Sequence, residues 1–145
     1  MTSTTSAGRL WLDHYPPGVP ATVDVASAGT LVDMIRKAAG QFADRPAFES
    51  LGKKLTFAQM LAASEAVASW LQQQGCAKGE RIALMMPNIM AYPASIFGVL
   101  MGGFIVVNVN PLYTPRELSH QLKDSGATTI FVMEQFAHVV QEAMP

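Results

Sequence analysis

Charge is what this sequence has least of. Only 14% of its 145 residues are Asp, Glu, Lys or Arg, against roughly 25% in ordinary soluble domains. None of them falls between Arg81 and Arg116. Charge normally coats the outside, so the shortage means either an unusually apolar surface or one that meets further protein. The net charge of −1, without a basic cluster, gives no footprint for nucleic acid. Cysteine is almost missing too. Cys76 alone excludes a disulfide within the chain and any metal site built from several thiolates, which fits a reducing cytoplasm. Phosphate-cradling loops of the Gly-x-Gly-x-x-Gly or Gly-x4-Gly-Lys-Ser/Thr type do not occur, nor does a His-Glu-x-x-His pair; each would have placed a nucleotide or a metal. Met1–Gly8 is polar and no apolar stretch of signal-peptide type follows it, so no secretory signal is read.

What is present is a long charge-free centre, and protein or lipid must cover it. A membrane span needs about 20 unbroken apolar residues. The best window, Ile89–Val107, is interrupted by Pro93, Gly98, Gly102 and Gly103 and lacks flanking Lys or Arg. Pro87-Asn88 and Asn108-Val109-Asn110-Pro111 supply turn chemistry on either side. The remainder reads as strand, helix and strand, a βαβ unit covered on both faces.

Along the chain, Trp11–Pro20 is an irregular lead-in whose prolines fix the backbone and whose aromatics can dock it. Thr30 with Asp33 starts a helix whose buried stripe is Leu31, Met34, Ile35, Ala38 and Phe42, ending before Pro46. Ala47–Ser50 and Lys54–Thr56 flank Gly52 as a small hairpin. Thr56 and Gln59 form a capping box for a helix buried along Phe57, Met60, Leu61, Ser64, Val67, Ala68 and Leu71, with Gly75 as its left-handed cap. Then come strand Ile82–Met86, helix Ile89–Met101, strand Phe104–Val109, helix Thr114–Ser125, strand Thr129–Met133 and helix Phe136–Ala143. The predicted class is α/β, a three-layer parallel-sheet subdomain (βαβαβα) with an N-terminal helix and a small hairpin. Residues 1–10 read as a disordered start and 11–145 as one unit. The helix from Ile89 is apolar around its circumference, as in elements buried on all sides.

Chemistry-bearing residues are scattered. His14, His120 and His138 form no ligand pair, and His120 falls on the polar face of its helix. Cys76 sits in a Gly-flanked surface turn with no His near it to make it a nucleophile. Glu117 and Asp124 are seven apart and read as solvated carboxylates. Gly98, Gly102 and Gly103 read as close helix packing. Met34, Met60, Met85, Met86 and Met101 read as core filling, although a Met-rich wall also suits a fatty ligand. The Asn108–Tyr113 loop follows the C-terminal end of a parallel strand, where open α/β sheets place ligands; as plain structure, Asn110-Pro111 simply turns the chain into the next helix. No catalytic and no metal-binding residue is assigned.

WLDHYPPGVP, KLTFAQM, RIALMMPNIMAYPASIFGVLMGG and VNVNPLYTPRELSHQLKDSGA closely resemble the N-terminal part of bacterial long-chain-fatty-acid–CoA ligases, of the adenylate-forming superfamily. The resemblance runs from Trp11 to about Ala143, and NPLYTPREL is its most specific segment. It differs in Gly102-Gly103, where the family usually has Ala-Gly, and in Glu80, where Asp is usual. The resemblance implies part of the large N-terminal domain of an enzyme that makes acyl-AMP from fatty acid and ATP with magnesium, then passes the acyl group to coenzyme A. The family's phosphate loop, acidic nucleotide motif and mobile-domain lysine are expected downstream of Pro145. The chain by itself is therefore expected to be catalytically silent and to bind none of these cofactors tightly. Its expected partners are the remainder of the ligase or another copy of itself, with fatty acid as substrate of the whole. By resemblance Asn110, Leu112 and Tyr113 border the coenzyme A site, and the location is cytoplasmic with peripheral inner-membrane association. The alternatives are a non-enzymatic interaction or dimerisation module and a ligase of the aryl-CoA type.

Overall fold

The structure, a computed structural model, describes residues 9–144. Of the expected disordered start, residues 1–8 lie outside that range. Leu10–His14 forms a single 3-10 turn, followed by α1 (Val25–Ala28), a short helix capped by Asp24 that the sequence reading missed. Trp11 and Tyr15 stay exposed, so the lead-in does not dock through its aromatics as expected. The chain continues as α2 (Leu31–Phe42), β1 (Pro46–Ser50), β2 (Lys53–Thr56), α3 (Phe57–Gln73), β3 (Arg81–Met85), α4 (Ala91–Met101), β4 (Ile105–Val109), α5 (Pro115–Ser125), β5 (Thr129–Val132) and α6 (Ala137–Ala143).

Local chemistry sets these boundaries. Capping boxes open three helices: Thr30 with Asp33, Thr56 with Gln59, and Thr114 with Glu117. Each satisfies two backbone N–H groups that the first turn leaves free. At the other end of α3, Gly75 takes φ +83°. Its N–H donates to the Gln72 carbonyl at 3.0 Å and the Cys76 N–H to Leu71 at 3.2 Å, a Schellman exit. α4 leaves the same way through Gly103, with Phe104 N–H on the Val99 carbonyl at 3.1 Å.

β1 and β2 pair antiparallel as the predicted hairpin. The other three strands form a parallel sheet in the order β4-β3-β5. The connection from β3 to β4 runs one way and that from β4 to β5 returns across β3. Right-handed crossovers in opposite directions place their helices on opposite faces, and the packing agrees. Ile82 and Leu84 pack with Leu71, Val99 and Phe104 beneath α3 and α4. Ala83 and Met85 pack with Val109, Leu118, Val139, Val140 and Ala143 beneath α5 and α6. These four residues of β3 have no accessible surface, and each large side chain so buried contributes about 1.5–3 kcal/mol.

Several expectations need correction. Leu31 and Met34 are exposed; of the expected stripe α2 buries Ile35, with Ala39 beside it, and leaves Ala38 and Phe42 half-buried. α4 begins at Ala91 rather than Ile89. Pro93 does not break it, because in the first turn its missing N–H has no carbonyl to reach. Nor is α4 buried all round. Ala94, Ser95, Gly98 and Val99 are covered, while Pro93, Ile96, Phe97, Leu100 and Met101 are only half-buried. Cys76 is half-buried against the α3–α4 core, not in an open turn, because the Schellman exit turns it inward.

The chain exposes 10165 Å², whereas a compact monomer of 15.6 kDa exposes about 7,300 Å². The lead-in contributes to this excess, since residues 9–27 are exposed at every position but Leu12.

Candidate functional site

The three parallel strands end on one edge of the sheet, and the best-ordered polar structure there follows β4. Asn110 Oδ1 accepts from the Leu112 N–H at 3.0 Å, and the Asn110 carbonyl accepts from Tyr113 N–H at 3.1 Å. These bonds fold the loop into the N-cap of α5. The Asn108 side chain accepts from the Tyr92 hydroxyl at 2.8 Å, and its carbonyl accepts from Gln121 Nε2 at 2.8 Å. One residue of β4 is thus tied to α4 on one face and α5 on the other.

Of the predicted site residues, Asn110 spends its side chain on the turn, Leu112 stands 80% exposed, and Tyr113 is half-buried against the α5–α6 core. They share one loop, but only Leu112 offers a free side chain. Beside it runs an open cleft of about 680 Å³ lined by Tyr113, Thr114, Glu117, His120, Gln121 and Asp124. Glu117 is committed there. The Thr114 N–H and hydroxyl donate to its Oε2 at 2.8 and 2.7 Å and hold its carboxyl below the usual carboxylate range. A carboxylate held ionised this way is a cap, not a proton donor.

The strand order places the topological switch elsewhere, between β3 and β5, since α5 passes back across β3. The loops that diverge there are 86–90 and 133–136, and ligands of open α/β sheets occupy such crevices. Sequence order could not reveal this, because it depends on which strands are neighbours. A second feature was also missed. Phe48 of β1 with Ile89, Tyr92, Pro93, Ile96 and Phe97 lines an apolar groove of about 400 Å³. The 93, 96, 97 spacing marks one helix face, yet the partner wall on β1 lies far away in sequence. This groove can take up apolar surface; its polar lining is Glu49, Ser50, Asn88 and the Tyr92 hydroxyl, the last already donating to Asn108.

No group of three or more His, Cys, Asp or Glu comes together among the described residues. The first turns of α2 and α5, where an anion could sit, are already filled by the Asp33 and Glu117 carboxylates. Cys76 Sγ lies 4.0 Å from Thr129 Oγ1 and no base is beside it. Met60, Met85 and Met86 are core residues and Met101 is half-buried, but Met34 is exposed, so these five do not form one buried set. No helix among the described residues is long and apolar enough to cross a membrane.

Residues 35–145 match the family described as AMP-binding enzyme. The long-chain-fatty-acid–CoA ligase of Yersinia pestis is 50% identical over 137 residues, covering 94% of this chain and 24% of that protein. The ligase of the same name from Haemophilus influenzae is 43% identical over the same span. Among solved structures, a Mycobacterium tuberculosis fatty acyl CoA synthetase superposes with a TM-score of 0.71 at 30% identity, over 76% of this chain and 22% of that one. The chain spans about a quarter of the length of the curated relatives it matches.

Proposed function

Since the chain belongs to the AMP-binding enzyme family, we propose that its residues form the N-terminal region of a long-chain-fatty-acid–CoA ligase. The whole enzyme would join fatty acid and ATP as acyl-AMP, releasing pyrophosphate, and then transfer the acyl group to the thiol of coenzyme A. The observation that carries this reading is the identity of 50% over 137 residues to a ligase of that name.

In this reading these residues contribute scaffold rather than chemistry. They hold the C-terminal edge of β3, β4 and β5 in place, and the remainder of the ligase supplies ATP, magnesium and the reacting groups. Asn110, Leu112 and Tyr113 are assigned to the border of the coenzyme A channel. Asn110 shapes the loop, Tyr113 anchors it and Leu112 presents apolar surface. The location is cytoplasmic, with peripheral contact to the inner membrane.

A chimera carrying these residues in place of the matching stretch of the Yersinia pestis ligase is expected to release pyrophosphate and form palmitoyl-CoA. A folded chimera that does neither removes the reading. The 145-residue chain alone should release no pyrophosphate from ATP and palmitate; release above background means that it carries chemistry of its own. Within the chimera, Leu112→Asp should raise the KM for coenzyme A several-fold while leaving pyrophosphate release unchanged. An unaltered KM takes the loop out of the channel.

A further inference from the structure

Asn108 of β4 is bonded to helices on both faces of the sheet. Its side-chain Oδ1 accepts from the Tyr92 hydroxyl of α4 at 2.8 Å, and its main-chain carbonyl accepts from Gln121 Nε2 of α5 at 2.8 Å. Both partners belong to this chain and to helices that pack on β4, so the two bonds do not depend on what further protein surrounds the body.

Two residues later the chain enters the Asn110–Tyr113 loop. That loop is suspended between two elements, leaving β4 at Val109 and ending at Thr114, the N-cap of α5. Its inner bonds, Leu112 N–H to Asn110 Oδ1 at 3.0 Å and Tyr113 N–H to the Asn110 carbonyl at 3.1 Å, fix its shape but not the distance it spans. The span is set by where α5 lies against β4. Apolar packing of Val109 with Leu118 favours contact without direction, whereas a hydrogen bond has a length and an angle to keep. The Gln121 bond therefore locks α5 to β4 along the sheet. It admits one orientation of the carboxamide, because turning the group over sets its oxygen against the Asn108 carbonyl. Gln121 Oε1 is buried with no partner among the described residues, so the donor end alone holds the group. The Tyr92 bond fixes the start of α4 to the same residue.

We propose that Asn108 is a positioning residue for the coenzyme A step. With Tyr92 and Gln121 as its partners it sets the placement of Leu112 and Tyr113, and through them the affinity of the complete enzyme for coenzyme A. The inference rests on the ligase reading and on the loop's place at the coenzyme A channel. It goes further in assigning control of that loop to residues outside it.

The test compares Tyr92→Phe, Asn108→Ala and Gln121→Glu with Asn108→Asp, in the chimera for kinetics and in the 145-residue chain for amide exchange. Tyr92→Phe loses only the hydroxyl, and Gln121→Glu loses the donor at neutral pH. Asn108→Asp keeps an oxygen to accept from Tyr92. The first three should each raise the KM for coenzyme A about fivefold, with kcat changed by less than about twofold. Tyr92→Phe and Asn108→Ala together should raise it no further than either alone, since they remove one shared bond. Asn108→Asp should stay near wild type. Exchange at the Leu112 and Tyr113 amides should quicken in the first three variants, while the Leu84 amide of β3 keeps its protection. An unchanged KM in folded, active Tyr92→Phe and Gln121→Glu chimeras overturns the positioning role and leaves the ligase reading standing. So does an additive double variant, a KM raised equally in Asn108→Asp, or quickened exchange that extends to Leu84. A chimera that is inactive without any of these substitutions fails one step earlier, at the ligase reading, and takes this inference with it.

Discussion

At Gly98 the backbones of α3 and α4 come close enough that a single added carbon has no room. A Cβ there would lie 2.6 Å from Val67 Cβ and 2.7 Å from the Ser64 carbonyl oxygen. The second of these is main chain and cannot swing aside. Gly98→Ala should therefore destabilise by about 1 kcal/mol or more, overpacking outweighing the helix propensity that Ala gains; a lowered urea midpoint at unchanged slope is the expected measurement. Gly102 has a different reason. Its missing side chain leaves space for the Phe104 ring, which is buried against Val99. Tight helix packing at Gly98 was legible in the sequence, because small residues inside an apolar helix have few other uses. The roles of Asn108 and Gln121 were not legible, since their bonds join residues 13 and 16 positions away that nothing local pairs.

Single elements show the same division. α5 was readable end to end, because Thr114, Pro115, Glu117 and Gly126 act within their own turns. Thr114→Ala should cost about 1 kcal/mol, seen as a lower melting temperature, and Thr114→Ser should restore most of it. An unchanged melting temperature for Thr114→Ala would remove the cap from the account of this helix. α2 has an equally good capping box, yet its buried face was misjudged at Leu31 and Met34. Periodicity establishes that a helix has an apolar side. Which part of that side is covered depends on where its neighbours stop, and among the described residues Leu31 and Met34 are left open. The hairpin turn shows a milder conflict. Leu51 and Gly52 both take positive φ, at 50° and 74°, the geometry that favours Asn-Gly, so Leu51 is held there by the ladder rather than by preference.

For the molecule as a whole, the carboxylates fastened to backbone set its response to acid. Asp33 is held low by the Thr30 hydroxyl and N–H, Glu80 by the Thr128 hydroxyl and the Ala77 N–H, and Glu117 by the Thr114 N–H and hydroxyl. A folded-state value below the unfolded one adds stability that is complete above the unfolded value, near 4, and is lost as the pH falls through the folded value. The urea midpoint should thus be flat near neutrality and drop as the pH falls below about 4. The combined change Asp33→Asn, Glu80→Gln and Glu117→Gln should flatten that drop; an identical profile would locate the acid response elsewhere. The layered βαβαβ body was legible from alternation, but the position of β3 in the middle was not, because strand order is decided by crossovers. That position governs how the polypeptide emerges during synthesis. Both neighbours of β3 are encoded after it. A nascent chain that has left the ribosome only as far as Met101 must therefore carry its most deeply buried strand with two bare sides, and it remains a customer for chaperones until Val132 has cleared the exit tunnel.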